Sequence, residues 1–353
     1  MNWARGERIG HGSFGQVNLA VSTSHEFASL MAVKSCSLLH SATLVNEKLI
    51  LEELSECPEI IHCFGDNVSQ ENGVKLYNVL LEYASGGSLA NKIKNSVFSE
   101  CEVQRYSRDI LKGLYYVHKN GYVHCDMKLQ NVLLVEVGGN YVAKIADFGL
   151  AKRGGNLEAK CELRGTLMYM SPEMVAGGEQ ESAADIWALG CLVLEMITGT
   201  LAWKCRRKSD FGGLMMRIGV GDEVPEIPKK LSKQGKDFLG KCFLKNPRER
   251  WTAEMLLNHP FIAGYNEAMD VSCASPTSAL NFPHCTSSQT SLSPQKFVPE
   301  FISRDEFDWN LRSSSAILPE NRIYQLASDH QRFDWSDSES WVPVRGAYES
   351  NCS

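Results

Sequence analysis

The pattern of apolar residues changes once along this chain, and the change falls at a Gly-Gly pair. Before Gly86-Gly87, apolar residues come in short β-type runs at residues 16–21, 30–36, 60–64 and 76–82. One helical stretch over 43–54 interrupts them, with Leu44, Leu51 and Leu54 recurring at helical spacing. After the glycines the period is helical. Val103, Tyr106, Ile110, Leu114 and Val117 share one face of residues 102–118, and residues 183–198 are apolar nearly all round, the pattern of a buried helix. A small β-rich lobe, a glycine hinge and a larger, mainly helical lobe make a bilobal α+β domain, with a cleft between the lobes where ligand sites tend to form. Beyond residue 264 no period is sustained. Residues 265–353 hold 17 serines and scattered prolines, a composition that buries too little apolar surface to offset the entropy of ordering. The expectation is a domain over 1–264, with lobes at about 1–83 and 88–264, and a largely disordered tail over 265–353.

Charge sharpens that division. Residues 1–264 balance 30 Lys+Arg against 30 Asp+Glu, while residues 265–353 carry 6 against 12, so the whole net charge of −6 sits in the tail. A neutral body lacks the basic face that nucleic-acid binding requires. The longest apolar run, 188–194, is far short of the roughly 18–20 residues of a membrane span. The opening MNWARGERIG lacks the apolar core of a signal peptide and has no glycine at position 2, so neither secretion nor N-myristoylation is expected. Twelve cysteines with no CxxC pair read as free thiols of a reducing compartment, cytoplasm or nucleus, and the scattered histidines offer no zinc site.

Chemistry-bearing residues recur at ordered positions. Gly10, Gly12 and Gly15, in GHGSFGQV, have the spacing that lets a strand–turn–strand backbone approach phosphates closely. Glycines at this spacing also open dinucleotide-binding folds, but those require a helix directly afterwards. Here a β-type run comes next, then Met31-Ala32-Val33-Lys34, which places Lys34 on a strand as a fixed cation. Glu47 falls 13 residues later on the helical stretch, a carboxylate able to hold Lys34. Further on come His124-Cys125-Asp126-Met127-Lys128-Leu129-Gln130-Asn131, then Asp147-Phe148-Gly149 21 residues after Asp126, then Ser171-Pro172-Glu173.

This ordered set resembles the protein kinase catalytic domain, whose signatures are a Gly-rich loop, a VAIK lysine, HRDxxxxN, DFG and APE. The resemblance covers about residues 3–261 and includes Asp185-Ile-Trp187 and Arg250. It implies ATP and Mg²⁺ as cofactors. Lys34 would grip the ATP phosphates and pair with Glu47, Asp147 and Asn131 would hold Mg²⁺, Asp126 would orient and deprotonate the substrate hydroxyl, and Lys128 would neutralise charge on the transferred group. Leu80-Leu81-Glu82-Tyr83-Ala84 resembles the hinge, with Leu81 as gatekeeper and backbone groups of Glu82 and Ala84 facing adenine. Ile9, Gly10, Gly12, Gly15, Val17, Ala32 and Leu133 complete the implied nucleotide site. Lys128, with Gly165-Thr166 ahead of Ser171-Pro172-Glu173, resembles the Ser/Thr branch. The stretches CPEIIHCFG (57–65) and LEYASGGSL (81–89) resemble plant MAP kinase kinase kinases with a short N-terminal kinase domain and a variable tail. Their substrates would be MAP kinase kinases. Two rivals stand beside this reading. One is another Ser/Thr kinase with different substrates. The other is a pseudokinase scaffold, which would ordinarily lack at least one of Lys34, Glu47, Asp126, Lys128, Asn131 and Asp147.

One departure carries information. The family's HRD arginine, usual receiver of an activation-loop phosphate, is Cys125, and residues 150–165 (LAKRGGNLEAKCELRG) contain no Ser, Thr or Tyr. Acceptor and receiver are missing together, so activity is expected not to depend on primary loop phosphorylation, and Thr166 is expected to shape the substrate pocket beside Asp126. Glu173 is expected to pair with Arg250. Cys125 reads as a packed side chain rather than a redox centre, for which Cys161 beside Lys160 is the better candidate. The basic run at 204–208 reads as a solvated loop. In the tail, Phe307-Asp308-Trp309 and Phe333-Asp334-Trp335 repeat one tripeptide, a candidate docking motif for a regulator, and Ser275-Pro276 and Ser293-Pro294 are minimal sites for a Pro-directed kinase. A monomer is expected.

Overall fold

The first body is built mainly of β-strands. Strands β1 (Trp3–Gly12), β2 (Gly15–Ser22) and β3 (Leu30–Ser37) are followed by helix α1 (Ala42–Glu53) and by β4 (Cys63–Glu71) and β5 (Val74–Glu82). They form one antiparallel sheet in the order β1-β2-β3-β5-β4. A computed structural model of the chain describes residues 2–12, 15–23, 30–94, 96–155, 164–204 and 211–264, with Pro319, Glu320 and Ile323. These fall in one unit, Met1–Tyr265 with Leu318–Ser353; a second unit, Asn266–Ile317, lies outside the described residues.

Register decides what the sheet presents. Val17 stands opposite Lys34, and Ala32 opposite Leu81. Side chains two apart on a strand share a face, so Ala32 and Lys34 point to the same side. At the β1–β2 turn, Gly15 has φ +149°, and a Cβ there would lie 2.4 Å from the Ser35 carbonyl oxygen, so the turn accepts only glycine. Helix α1 lays Leu44, Glu47 and Leu51 inward at i, i+3 and i+7.

The second body begins at the glycine pair. The Gly86 N–H bonds the Leu134 carbonyl at 3.0 Å and the Leu134 N–H bonds the Gly87 carbonyl at 2.8 Å, which pins the connection onto the larger body. Its elements are α2 (Leu89–Ile93), α3 (Glu100–Lys119), β6 (Tyr122–Val123), β7 (Val132–Val137), β8 (Asn140–Ile145), β9 (Lys152–Arg153), α4 (Pro172–Gly177), α5 (Ser182–Thr198), α6 (Phe211–Gly219), α7 (Lys233–Cys242), α8 (Ala253–Leu257) and α9 (Pro260–Ala263). Helix α3 starts on a capping box, Ser99 with Glu102, and carries acids in its first turn and His118 and Lys119 in its last, complementing the helix dipole. All five of its predicted inner residues, Val103, Tyr106, Ile110, Leu114 and Val117, are fully buried. Helix α5 is enclosed along most of its length, as its all-round apolar pattern requires. No described helix is long and apolar enough to cross a membrane.

Three expectations change. Residues 60–64 are not one strand: Ile60 forms a single bridge to Ile145, and β4 begins at Cys63. Strand β1 and the β7–β8 hairpin had no clear alternation to announce them. Within the tail, Pro319, Glu320 and Ile323 are helical, and Ile323 is buried against the second body. A packed aliphatic there offsets ordering locally, which composition averaged over 89 residues hides. The remainder of the tail reading, including Ser275, Ser293 and both Phe-Asp-Trp repeats, lies outside the described residues, as do Lys160, Cys161 and positions 205–208.

Candidate active site

The two bodies enclose a cleft. Ile9, Val17 and Ala32 pack as one apolar group on the sheet side. Ile61, just ahead of β4, and Ala146 of the second body form another, against which Leu133 packs, and Leu81 touches both groups. Glu82, Tyr83 and Ala84 line the connecting edge, and Lys34, Glu47, Asn131 and Asp147 line the polar end. A flat apolar slot ending in charge suits a planar base joined to phosphates. Of the residues predicted for the nucleotide, Ile9, Val17, Ala32, Lys34, Glu47, Leu81, Glu82, Ala84 and Leu133 line this cleft together. Gly10, Gly12 and Gly15 belong instead to the β1–β2 hairpin, whose tip at 13–14 lies outside the described residues. The Glu82 carboxylate is held by Lys144 at 2.8 and 2.9 Å, and its N–H donates to the His62 carbonyl at 2.9 Å, so neither group is offered to a ligand.

At the polar end, Lys34 Nζ donates to Glu47 Oε2 at 2.7 Å and to Asp147 Oδ1 at 2.8 Å. Burial by itself would lower the Lys34 pKa, but the two carboxylates outweigh it and hold the ammonium above the ordinary lysine range. Burial would raise Asp147, yet Lys34 keeps it below the usual carboxylate range. Glu47, sealed in, is pushed up by its burial. The Asp147 side chain retains 20% exposure against 2% for Glu47, so Asp147 is the carboxylate free to meet a cation in the cleft. Asn131, buried, donates its amide N–H groups to the Asp126 carbonyl at 2.8 Å and Asp126 Oδ2 at 3.1 Å. Its amide oxygen is the remaining group with ligating capacity. No cluster of three His, Cys, Asp or Glu suited to a metal occurs among the described residues. The donors therefore fit a hard cation that draws much of its coordination from phosphate and water.

A second cluster adjoins. Asp126 Oδ1 accepts the Thr166 hydroxyl at 2.8 Å, Asp126 Oδ2 pairs with Lys128 Nζ at 2.8 Å, and Lys128 Nζ donates to Thr166 Oγ1 at 3.2 Å. Thr166 thus stands beside Asp126 as expected. Gly165 has φ +100°, and a Cβ there would lie 2.4 Å from the Cys125 carbonyl oxygen. The loop is held from beneath by Asp185 at the start of α5. Asp185 Oδ2 accepts the His124 N–H at 2.8 Å and Oδ1 accepts the Cys125 N–H at 3.0 Å. His118 lies 2.9 Å from Oδ2 and helps keep Asp185 ionised against its burial. The His124 ring meets Phe148 edge-on at 4.8 Å between centroids. Its Nδ1 accepts the Asp126 N–H, which leaves the Nε2 proton for the Ala146 carbonyl at 3.1 Å.

Cys125 is buried with φ +69°, and its Sγ approaches the Val123 carbonyl at 3.5 Å. Burial first, then the neighbouring Asp185 carboxylate, pushes its thiol well above the normal range. The thiolate is the reactive form, so native protein treated with iodoacetamide at neutral pH is expected to leave Cys125 unlabelled while partly exposed Cys101 reacts. Peptide mass spectrometry reads this directly, and equal labelling of the two would refute it.

Sequence reasoning omitted Leu51, Ile61 and Ala146 from the cleft wall. Their signal was ordinary core apolarity, and only the closure of the two bodies turns one side of each toward a ligand. Gln180 and Glu181 were missed as well, in a polar stretch with no motif to mark them.

A protein kinase domain model matches residues 3–262. The chain belongs to the protein kinase domain family. Among curated relatives, the kinase is 44% identical to mitogen-activated protein kinase kinase kinase 20 of Arabidopsis thaliana, over 98% of this chain and 100% of that one. It is 40% identical to mitogen-activated protein kinase kinase kinase 18 of the same plant, over 98% and 99%. It is 36% identical to the serine/threonine-protein kinase BCK1/SLK1/SSP31 of Saccharomyces cerevisiae, over 74% of this chain and 18% of the other. The kinase is therefore a Ser/Thr protein kinase, and as such uses ATP and a divalent metal.

Proposed function

We propose that this kinase phosphorylates serine or threonine in the activation loop of a MAP kinase kinase, as a MAP kinase kinase kinase of a plant signalling cascade. The observation that carries the reading is the extent of similarity: the match to the Arabidopsis protein spans tail as well as catalytic domain, 98% of this chain. A cascade of this kind places it in the cytoplasm, the nucleus or both.

The geometry supports a division of labour. Mg²⁺, held by Asp147 and Asn131, would screen the phosphate charge that in-line transfer concentrates. Lys34, kept cationic by two carboxylates, fixes phosphate oxygens. Asp126 orients the substrate hydroxyl and takes its proton as the oxygen attacks the terminal phosphorus and the bond to the bridging oxygen breaks, releasing ADP. Lys128, 2.8 Å from Asp126, adds positive charge where negative charge develops. We further infer that no primary activation-loop phosphate is needed. Residues 150–165 offer no acceptor, Cys125 offers no receiver, and the Thr166 hydroxyl is engaged by Asp126 and Lys128.

The test is phosphate transfer by the bacterially expressed, phosphatase-treated full chain to a panel of catalytically dead MAP kinase kinases and to a generic protein acceptor. Activation-loop transfer to a MAP kinase kinase is expected. Transfer to the generic acceptor alone would overturn the substrate reading. A requirement for stoichiometric phosphate at Thr166 would overturn independence from loop phosphorylation.

A further inference from the structure

Gln180 and Glu181 lie side by side just before α5, and between them they reach both arms of the activation segment. Gln180 is 4% exposed. Its amide nitrogen donates to the Cys125 carbonyl at 3.1 Å and to the Arg164 carbonyl at 3.2 Å, which uses both of its protons. The Glu181 carboxylate accepts the Gly155 N–H at 3.1 Å through Oε1 and 3.0 Å through Oε2.

The two carbonyls that Gln180 joins each sit one peptide ahead of a residue at the reacting centre or its support. The Cys125 carbonyl belongs to the peptide unit that carries the Asp126 nitrogen, and that nitrogen donates to His124 Nδ1 at 3.2 Å. Gln180 therefore holds one edge of this planar unit while His124 holds the other. The Arg164 carbonyl belongs to the peptide leading into Gly165, with Thr166 next in the chain. Asp126 and Thr166 then meet side chain to side chain at 2.8 Å. One buried amide thus cross-links the backbone immediately upstream of the proton acceptor and of the threonine beside it. On the N-terminal arm, the Gly154 N–H also bonds the Gly121 carbonyl at 2.9 Å, so Glu181 reinforces an end already docked.

We propose that Gln180 and Glu181 are positioning residues that form a built-in clasp. The clasp sets the catalytic loop against the substrate-binding arm of the activation segment by hydrogen bonds alone. It rests on the reading that no loop phosphate is required, and it supplies the link that a phosphate on an arginine would otherwise make. Gln180 needs no modification to donate, so the clasp is closed as soon as the chain folds.

The experiment compares Gln180→Met, which keeps length and removes both donors, with wild type as phosphatase-treated full chains. The readouts are kcat, the KM for ATP and the melting temperature. Gln180→Met is expected to lose about tenfold or more in kcat. The KM for ATP should stay within about twofold, because the nucleotide cleft does not include Gln180. Glu181→Gln, which keeps an acceptor oxygen, is expected to fall between the two in kcat. Should Gln180→Met fail to fold, Gln180→Leu, which likewise has no donor, reads the same loss. A kcat within about twofold of wild type would overturn the clasp. So would a loss shared equally between kcat and ATP affinity, which marks a global defect. If phosphatase-treated wild type is itself inactive, phosphate independence has failed, and the clasp is then judged from the same kcat ratio in untreated enzyme.

Discussion

Asp147→Asn is expected to abolish phosphoryl transfer while leaving a folded protein that still binds nucleotide. Three acidic residues line the cleft. Glu47 is sealed, Glu82 is held by Lys144, and Asp147 alone combines exposure with a pKa kept low by Lys34. An amide of the same shape keeps the packing, but it carries no charge to neutralise a cation, and it removes one of the two carboxylates that hold Lys34. Removing one preorganised electrostatic contact at a reacting centre typically costs about 10²–10³ in rate. The loss of a full charge is expected at the upper end of that range or beyond. The melting temperature should move by no more than about 3 °C, since the lost pair is compensated within the same cluster. Steady-state turnover with a protein acceptor, alongside calorimetric nucleotide binding, checks both halves. Residual activity above a tenth of wild type would refute the assignment.

The largest stability effect is expected at Arg250, remote from the cleft. Its side chain is fully buried. It donates to both oxygens of Glu173 at 2.7 and 3.0 Å and to the carbonyls of Ala183, Leu244 and Lys245 at 2.7, 2.9 and 3.3 Å. The guanidinium also sits 5.2 Å from the centre of the Trp187 ring. Arg250→Leu strands a carboxylate and three carbonyls in low dielectric, a loss of about 3–5 kcal/mol. For a domain of this size that lowers the melting temperature by about 10 °C or more. Glu173→Gln keeps one acceptor and should cost less than half as much. Activity should fall at temperatures where the fold survives, because Glu173 begins α4 just after the segment that carries Thr166. A shift below about 3 °C by differential scanning calorimetry would show that the pair is not what ties these elements together.

Much of this arrangement is legible from local pattern. The inner faces of α1 and α3 follow from apolar spacing, since a helix of 3.6 residues per turn brings i, i+3, i+4 and i+7 to one side whatever it packs against. Lys34 falls on a strand because it ends a short, continuous apolar run, Leu30–Val33, and the two glycine-bearing turns follow from glycine's freedom at positive φ. The order of motifs pointed to the site residues, and Lys34, Glu47, Asn131 and Asp147 do meet at one end of one cleft. Strand β1 and the β7–β8 hairpin were not legible, because their burial is imposed by partners rather than by their own alternation.

Sequence by itself determined which residues can do the chemistry: a cation on a strand, an acid on a helix, and acids and an amide on turns, in a neutral body with an acidic tail. Tertiary structure decided which of them act together. Lys34 reaches Asp147 across 113 positions, Arg250 reaches Glu173 across 77, and Gln180 reaches Cys125 across 55. Hydrogen bonds of this kind depend on distances of about 3 Å between groups that lie far apart in the chain until it folds. No local period encodes such a distance. That is why Gln180, lying in a polar stretch without a motif, becomes visible as a positioning residue only in the fold.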